Sequence, residues 1–198
     1  MQALSRGLLT VVSGPSGVGK GTVCKRVCEM DAGITASVSA TTRQPRPHEQ
    51  EGVHYFFLTA EDFLARQAAG EFLEWAEVYG NYYGTLRCHV DKCLNAGQDV
   101  ILEIDTQGAM QIRSACPDAI FIFILPPSVA ELQRRIRGRA ADSAASIELR
   151  LSRAEYEMSR AKEYEHRIVN NTVEQAAAEL LSVLEAEKRR RREREETC

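Results

Sequence analysis

No apolar run in this chain of 198 residues approaches the roughly 20 residues that a membrane-spanning helix requires. The sequence therefore predicts no membrane partner. Basic charge is not in excess either: 25 Lys and Arg stand against 28 Asp and Glu, a formal net charge of −3. That balance lacks the electrostatic footprint of a nucleic-acid binder, and no nucleic-acid partner is expected. The first residues show no secretory pattern, since Arg6 runs directly into a strand signal and a glycine-rich loop, so a cytoplasmic location is expected. Six cysteines (24, 28, 88, 93, 116 and 198) form no C-x-x-C pair and no metal spacing. Cys24 and Cys28 are spaced as neighbours on one helix face, and packing thiols in a reducing compartment are expected rather than a disulfide.

What is present is concentrated in one stretch. Gly14-Pro15-Ser16-Gly17-Val18-Gly19-Lys20 fits the phosphate-binding pattern G-x-x-x-x-G-K. Leu8 to Ser13 reads as a buried strand entering the loop, and Gly21 to Met30 as the helix leaving it. Such a loop turns several backbone N–H groups toward one phosphate, and the helix adds the positive end of its dipole. Lys20 supplies a mobile charge for the β and γ phosphates. A glycine-rich turn with a chance lysine would not need this strand and this helix on either side. One position departs from the pattern. Ser or Thr usually follows the lysine and ligates magnesium, whereas Gly21 stands here and Thr22 comes one residue later, about 100° around the helix. Magnesium would then be held by nucleotide phosphates, waters and few protein groups.

A content of 44% hydrophobic residues suits one substantial core. Continuous apolar runs at Ala36 to Ser39, Val100 to Ile104, Ile120 to Leu125 and Arg167 to Val169 predict strands covered on both faces. Helices are expected over Leu86 to Ala96, before Gly97, and over Gln107 to Cys116, before Pro117. Ser128-Val129-Ala130-Glu131 fits a capping box. Ile147, Leu151, Ala154, Met158 and Ala161 mark one face of the following helix, and Val173, Ala177, Leu180, Leu181 and Leu184 the inner face of the last. The fold class is α/β: a P-loop NTPase-type parallel sheet flanked by helices. Residues 43 to 85 break the rhythm with Pro45, Pro47, His54-Tyr55-Phe56-Phe57, a short helix near Glu61 to Ala69 and aromatic runs at Trp75 and Tyr82-Tyr83. They read as a small mixed α/β insertion with its own core of Phe56, Phe63 and Phe72.

The segments Ser37-Val38-Ser39-Ala40-Thr41-Thr42-Arg43-Gln44-Pro45-Arg46, Gly52-Val53-His54-Tyr55-Phe56-Phe57, Phe72-Leu73-Glu74-Trp75-Ala76, Gly80-Asn81-Tyr82-Tyr83-Gly84-Thr85 and Leu102-Glu103-Ile104-Asp105-Thr106-Gln107-Gly108 occur in one order. With the P-loop and the Lys20-Gly21-Thr22 run that also marks small nucleotide kinases, they resemble the guanylate kinase family from about Arg6 to Lys188. The resemblance implies a kinase that uses ATP, with Mg2+, to phosphorylate GMP. It implies a core of residues 6–36, 86–125 and 167–188, a GMP-binding insertion at 37–85, a helical lid at 126–166 and a charged tail at 189–198.

Residue by residue, the resemblance implies ATP contacts from Gly14, Pro15, Ser16, Gly17, Val18, Gly19, Lys20, Gly21, Thr22 and Asn170. It places Arg43, Arg46, Tyr55 and Tyr83 on the GMP phosphate, where forked guanidinium donors suit a dianion. Guanine presents two donors, N1–H and the N2 amine, which call for acceptors. The family assigns these to Glu74 and Asp105, with Ser39 and Thr85 in support. Lys20, Arg135, Arg139 and Arg150 are expected to stabilise the transferring phosphoryl group, with Arg134, Arg137, Arg153 and Arg160 on the surface. Glu103, where the family more often has aspartate, is expected to reach magnesium through a water. Two other readings share the fold: a kinase for another nucleoside monophosphate or a sugar phosphate, and a non-catalytic guanylate-kinase-like binding module. The intact P-loop lysine, the lid arginines and the guanine-reading carboxylates argue against both. The basic run Lys188 to Arg192 is interleaved with glutamates and is expected to extend the last helix and fray.

Overall fold

The structure, a computed structural model, describes residues 6–78, 80–137 and 144–197. The main sheet has five parallel strands: β1 (Leu9–Ser13), β2 (Ile34–Ala36), β7 (Asp99–Glu103), β8 (Ile120–Leu125) and β9 (His166–Val169), in the order β2-β7-β1-β8-β9. Parallel neighbours require crossovers, and helices supply them. These are α1 (Lys20–Met30), α3 (Arg87–Asn95), α4 (Thr106–Ala115), α5 (Val129–Arg137) and α6 (Ala144–Ser159), with α7 (Val173–Thr197) closing the chain.

Alternation along the strands serves two cores at once. Val12 of β1 faces a cluster with Val23 and Val27 of α1 and with Ala177, Leu180 and Leu184 of α7. Val11, one residue earlier, faces Val90, Leu94, Ala109 and Ile112 of α3 and α4. Burying a side chain of this size contributes about 1.5–3 kcal/mol, so a sheet covered on both faces needs no polar side. Leu151, Ala154 and Met158 dock α6 on the first core.

Four further strands form a second, mixed sheet: β3 (Ser39–Thr41), β4 (Tyr55–Phe57), β5 (Phe72–Val78) and β6 (Asn81–Leu86), in the order β4-β3-β6-β5. Helix α2 (Ala60–Ala68) packs beneath it, started by the Thr59 side chain, which accepts from the Asp62 amide. Phe63, Phe72 and Leu86 form its core, with Phe63 stacked on Phe72 at 4.3 Å between ring centroids.

Two expectations are corrected. The expected strand at Ala36 to Ser39 is two strands in two sheets: the Ser37 amide makes the last bond to the main sheet, on Ile101 O, and Ser39 begins the second. The C-terminal run, expected to fray, is helical past Lys188. Helix α7 continues to Thr197, supported by Arg190 on Glu187 and by Arg191 on the Asp118 carbonyl.

Candidate functional site

In an open parallel sheet, ligands gather beyond the carboxyl ends of the strands. Here those ends deliver Gly14 from β1, Glu103 and Asp105 from β7, and Asn170 from β9. A cleft of about 480 Å³ lies above them, lined by Ser16, Lys20, Ser39, Tyr55, Glu74 and Arg150 among others. A larger depression of about 710 Å³ beside His166, Arg190 and Arg194 holds none of the loop residues.

The loop is shaped by close approach. Gly14 has φ of 153°, and a Cβ there would stand 2.5 Å from the Ile124 carbonyl oxygen. Gly19, at φ 95°, is the left-handed N-cap of α1, and a Cβ would stand 2.8 Å from Asn170 Nδ2. Helix α1 has no side-chain cap at Gly19 and no acid of its own in its first turn. Asn170, buried, donates to the Val18 carbonyl at 2.8 Å and fixes the loop from the core side. Lys20 is folded back on its own loop, donating to the carbonyls of Gly14 at 2.6 Å and Pro15 at 3.4 Å.

Glu103 sits beside Gly21 rather than apart from it. Its carboxylate takes a hydrogen bond from the Gly21 amide, and a Cβ on Gly21 would lie 3.0 Å from Oε2. The glycine that departs from the usual motif is thus the space into which Glu103 fits. Crowding by surrounding protein raises the Glu103 pKa, against the opposing pull of Lys20. Among the described residues no group of three or more His, Cys, Asp or Glu is arranged to hold a metal. One carboxylate at the mouth of a phosphate loop fits a cation bound mainly by phosphate oxygens. Thr22 is exposed.

On the second sheet, Glu74 and Thr85 are opposite each other in the β5–β6 ladder, and Thr85 Oγ1 donates to Glu74 Oε1 at 2.6 Å. Glu74 is 6% exposed, and burial pushes its carboxyl up to about 7 despite the Thr85 bond; the Asp105 charge adds to the rise. The N-terminal turn of α4 lies against it: a Cβ on Gly108 would meet Glu74 Oε2 at 2.6 Å. Asp105 has a structural task as well, since its Oδ1 caps α4 by accepting the Gly108 amide at 2.8 Å.

Arg43 is held by a residue that sequence reasoning missed. Its Nη2 donates to both oxygens of Glu49, at 2.8 and 2.9 Å, and the Arg46 amide donates to the same carboxylate at 2.8 Å. These bonds hold the Glu49 carboxyl down at about 2, and Glu49 with Tyr83 raises the Arg43 pKa. Arg43 lies 5.5 Å from the Tyr55 ring centroid, and Tyr55 meets Tyr83 edge-on at 6.1 Å. The Arg46 residue is exposed. Ser39 lines the cleft.

Helices α5 and α6 touch the loop. Arg135 donates to the Val18 carbonyl at 3.3 Å and pairs with Glu131 at 2.8 Å. Arg150, 9% exposed, donates to Ser16 Oγ from Nε and Nη2. Arg153, expected on the surface, is exposed and also borders the cleft, on the same face of α6 as Arg150. Glu157, also unforeseen, accepts the Ser16 amide at 3.1 Å. Its signal was its seven-residue spacing from Arg150. Arg139 lies outside the described residues.

A family model described as guanylate kinase matches residues 6–187. A guanylate kinase of Clostridioides difficile (strain 630) is 49% identical over 185 residues, covering 93% of this chain and 90% of that protein. One of Synechococcus sp. (strain JA-3-3Ab) is 52% identical over 180 residues, covering 91% and 83%. The crystal structure of guanylate kinase from Anaplasma phagocytophilum matches with a TM-score of 0.75 and 36% identity, over 92% of this chain and 87% of that one.

Proposed function

The chain belongs to the guanylate kinase family, and from that premise we propose that it is a nucleoside monophosphate kinase that transfers the γ-phosphoryl group of ATP to GMP, and to dGMP, in purine nucleotide metabolism. The observation that carries the substrate choice is the adjacency, in one cleft, of a phosphate loop and a buried carboxylate, Glu74, the kind of group that accepts from the donors of guanine.

ATP lies on Gly14 to Thr22, with Asn170 near its base. GMP lies against the second sheet. Glu74 and Asp105 read guanine with Ser39 and Thr85; Arg43, Arg46, Tyr55 and Tyr83 hold the phosphate. Residues 6–36, 86–125 and 167–188 are the core, 37–85 the GMP-binding unit, 126–166 the lid and 189–198 the charged tail. A GMP phosphate oxygen forms a bond to the γ phosphorus while the bond to the β–γ bridging oxygen breaks, and ADP leaves with that electron pair. No side-chain nucleophile is needed, and the second phosphate pKa near 6 leaves the attacking oxygen mostly ionised at neutral pH. Lys20, Arg135, Arg139 and Arg150 neutralise the charge that spreads over the transferred group. Mg2+ bound with ATP supplies charge neutralisation on the phosphates, and Glu103 would hold it through a water. Lid closure excludes water as a competing acceptor. Among the described residues no helix is long and apolar enough to cross a membrane, and we assign the enzyme to the cytoplasm. A coupled assay over GMP, dGMP, AMP and UMP tests the assignment. Preference for the guanine nucleotides supports it, and equal or greater use of AMP overturns it.

A further inference from the structure

The loop amides that should face phosphate are not all open in this structure. The Ser16 N–H donates to Glu157 Oε2 at 3.1 Å, across 141 residues of sequence. Arg150, seven residues earlier on the same helix, donates twice to the hydroxyl of the same serine, at 3.2 and 2.9 Å. Positions 150, 153 and 157 share one face of α6, and all three line the cleft. Ser16 is therefore bracketed, its amide by a carboxylate and its hydroxyl by a guanidinium, and α6 rests on the loop.

An ionised carboxylate offers only acceptors, as a phosphate oxygen does. Two such anions cannot share one amide without strong repulsion in a partly buried site. Lys20 and Arg153 favour the charged form of Glu157, while burial and the Asp105 charge oppose it, the burial being the largest influence. Lys20 itself is still turned onto the Gly14 and Pro15 carbonyls. The loop thus carries an internal carboxylate at its mouth and an internal acceptor set for its lysine.

We propose that Glu157 is a stand-in for nucleotide phosphate: its carboxylate holds the Ser16 amide while the site is empty, and the terminal phosphates of ATP displace it on binding. Resting on the phosphoryl-transfer reading above, this makes Glu157 a positioning residue that keeps loop and lid together between turnovers and sets the affinity of the loop for polyphosphate. Arg153, one turn away on the same face, is placed to receive the displaced carboxylate.

The test is calorimetric titration of the full-length enzyme and its Glu157→Gln variant with three probes: tripolyphosphate, adenosine and GMP. The amide keeps the shape of the side chain and removes its charge. Tripolyphosphate should bind the variant at least about fivefold more tightly, since a charge-assisted hydrogen bond no longer has to be broken. Adenosine and GMP should bind both forms alike. A merely structural role would weaken tripolyphosphate binding, and unchanged or weaker binding overturns the proposal. If Glu157→Gln does not fold, as judged by thermal melting, Glu157→Asp replaces it. Its shorter carboxylate withdraws from Ser16 and should tighten tripolyphosphate binding in the same direction; no tightening overturns the proposal. Activity of the parent on GMP is measured in parallel. Absence of that activity would sink the kinase assignment, whereas an active parent with unaltered tripolyphosphate affinity in the variant sinks only the role of Glu157.

Discussion

Glu74 should make guanine recognition depend on pH in a way that can be worked out from its surroundings. In the empty cleft burial holds its carboxyl at about 7, with Thr85 opposing and Asp105 assisting the rise. Guanine N1–H and N2–H are donors, so they bind the ionised form and lower that pKa on binding. Affinity must then rise with pH up to about 7 and level off above it. At pH 6 only about one molecule in eleven carries an ionised Glu74, so binding should be about tenfold weaker than on the plateau, or ~1.4 kcal/mol. Guanosine is the ligand to use, because the GMP phosphate itself titrates near pH 6. Calorimetry of guanosine binding between pH 5.5 and 8.5 should show this slope and a proton released on binding below pH 7. Glu74→Gln should be flat across the range. At pH 8 it should bind more weakly by roughly 1.5–3 kcal/mol, the worth of hydrogen bonds to a charged group. The same shift affects folding with the opposite sense. A carboxyl that titrates at 4.5 unfolded and about 7 folded weakens the fold progressively as pH rises between those values, by about 3 kcal/mol once fully ionised. Glu74→Gln should therefore raise the melting temperature at pH 8 and leave it nearly unchanged at pH 4.5. A pH-independent guanosine affinity in the parent would refute the reasoning, because the carboxylate would then not be the acceptor.

Three further outcomes are expected. Lys20→Ala should fold normally and lose transfer by roughly a hundredfold or more, as for removal of a preorganised charge at a transition state; activity within about tenfold of the parent would dismiss the loop assignment. Gly108→Ala should raise the KM for GMP far more than that for ATP, because the new methyl stands 2.6 Å from Glu74 Oε2 and must push the carboxylate aside; equal changes in both KM values would count against Glu74 as the guanine reader. Gly21→Ser would give the loop its usual hydroxyl but place a Cβ 3.0 Å from Glu103 Oε2. Its ATP–Mg2+ affinity should therefore recover only when paired with Glu103→Ala, and calorimetry of the single and double variants reads this directly.

Legibility in the sequence followed the distance over which each feature is built. The P-loop is contiguous, because a phosphate is small and seven adjacent residues can surround it, so Gly14 to Lys20 could be read without the fold. The apolar runs of β1, β7 and β8 were legible because a strand buried on both faces has no polar alternation to confuse it. Ala36 to Ser39 was not: a chain that changes sheets keeps its extended pattern while the neighbouring strand changes from β7, at Ile101, to β4, at Tyr55. Glu74 was assigned by resemblance, yet its pairing with Thr85 depends on the β5–β6 register, which shifts at the irregularity between Phe72 and Glu74. Glu49 and Glu157 were missed for a common reason. Each is a glutamate on a turn or helix that looks like any solvated one, although Glu49 reaches Arg43 across only six residues and Glu157 reaches Ser16 across 141. Asp105 was read for its carboxylate alone, and its capping of α4 required knowing where that helix begins.

The bond from Asn170 to the Val18 carbonyl joins residues 152 apart in sequence. It makes completion of the nucleotide site one of the last events in the life of a new chain. The loop emerges early from the ribosome, but its brace lies just past β9, near the opposite end of the chain. Until β9 docks beside β8, the loop lacks the brace on its Val18 carbonyl. A chain stopped short of Asn170 would carry the whole phosphate motif without that bond.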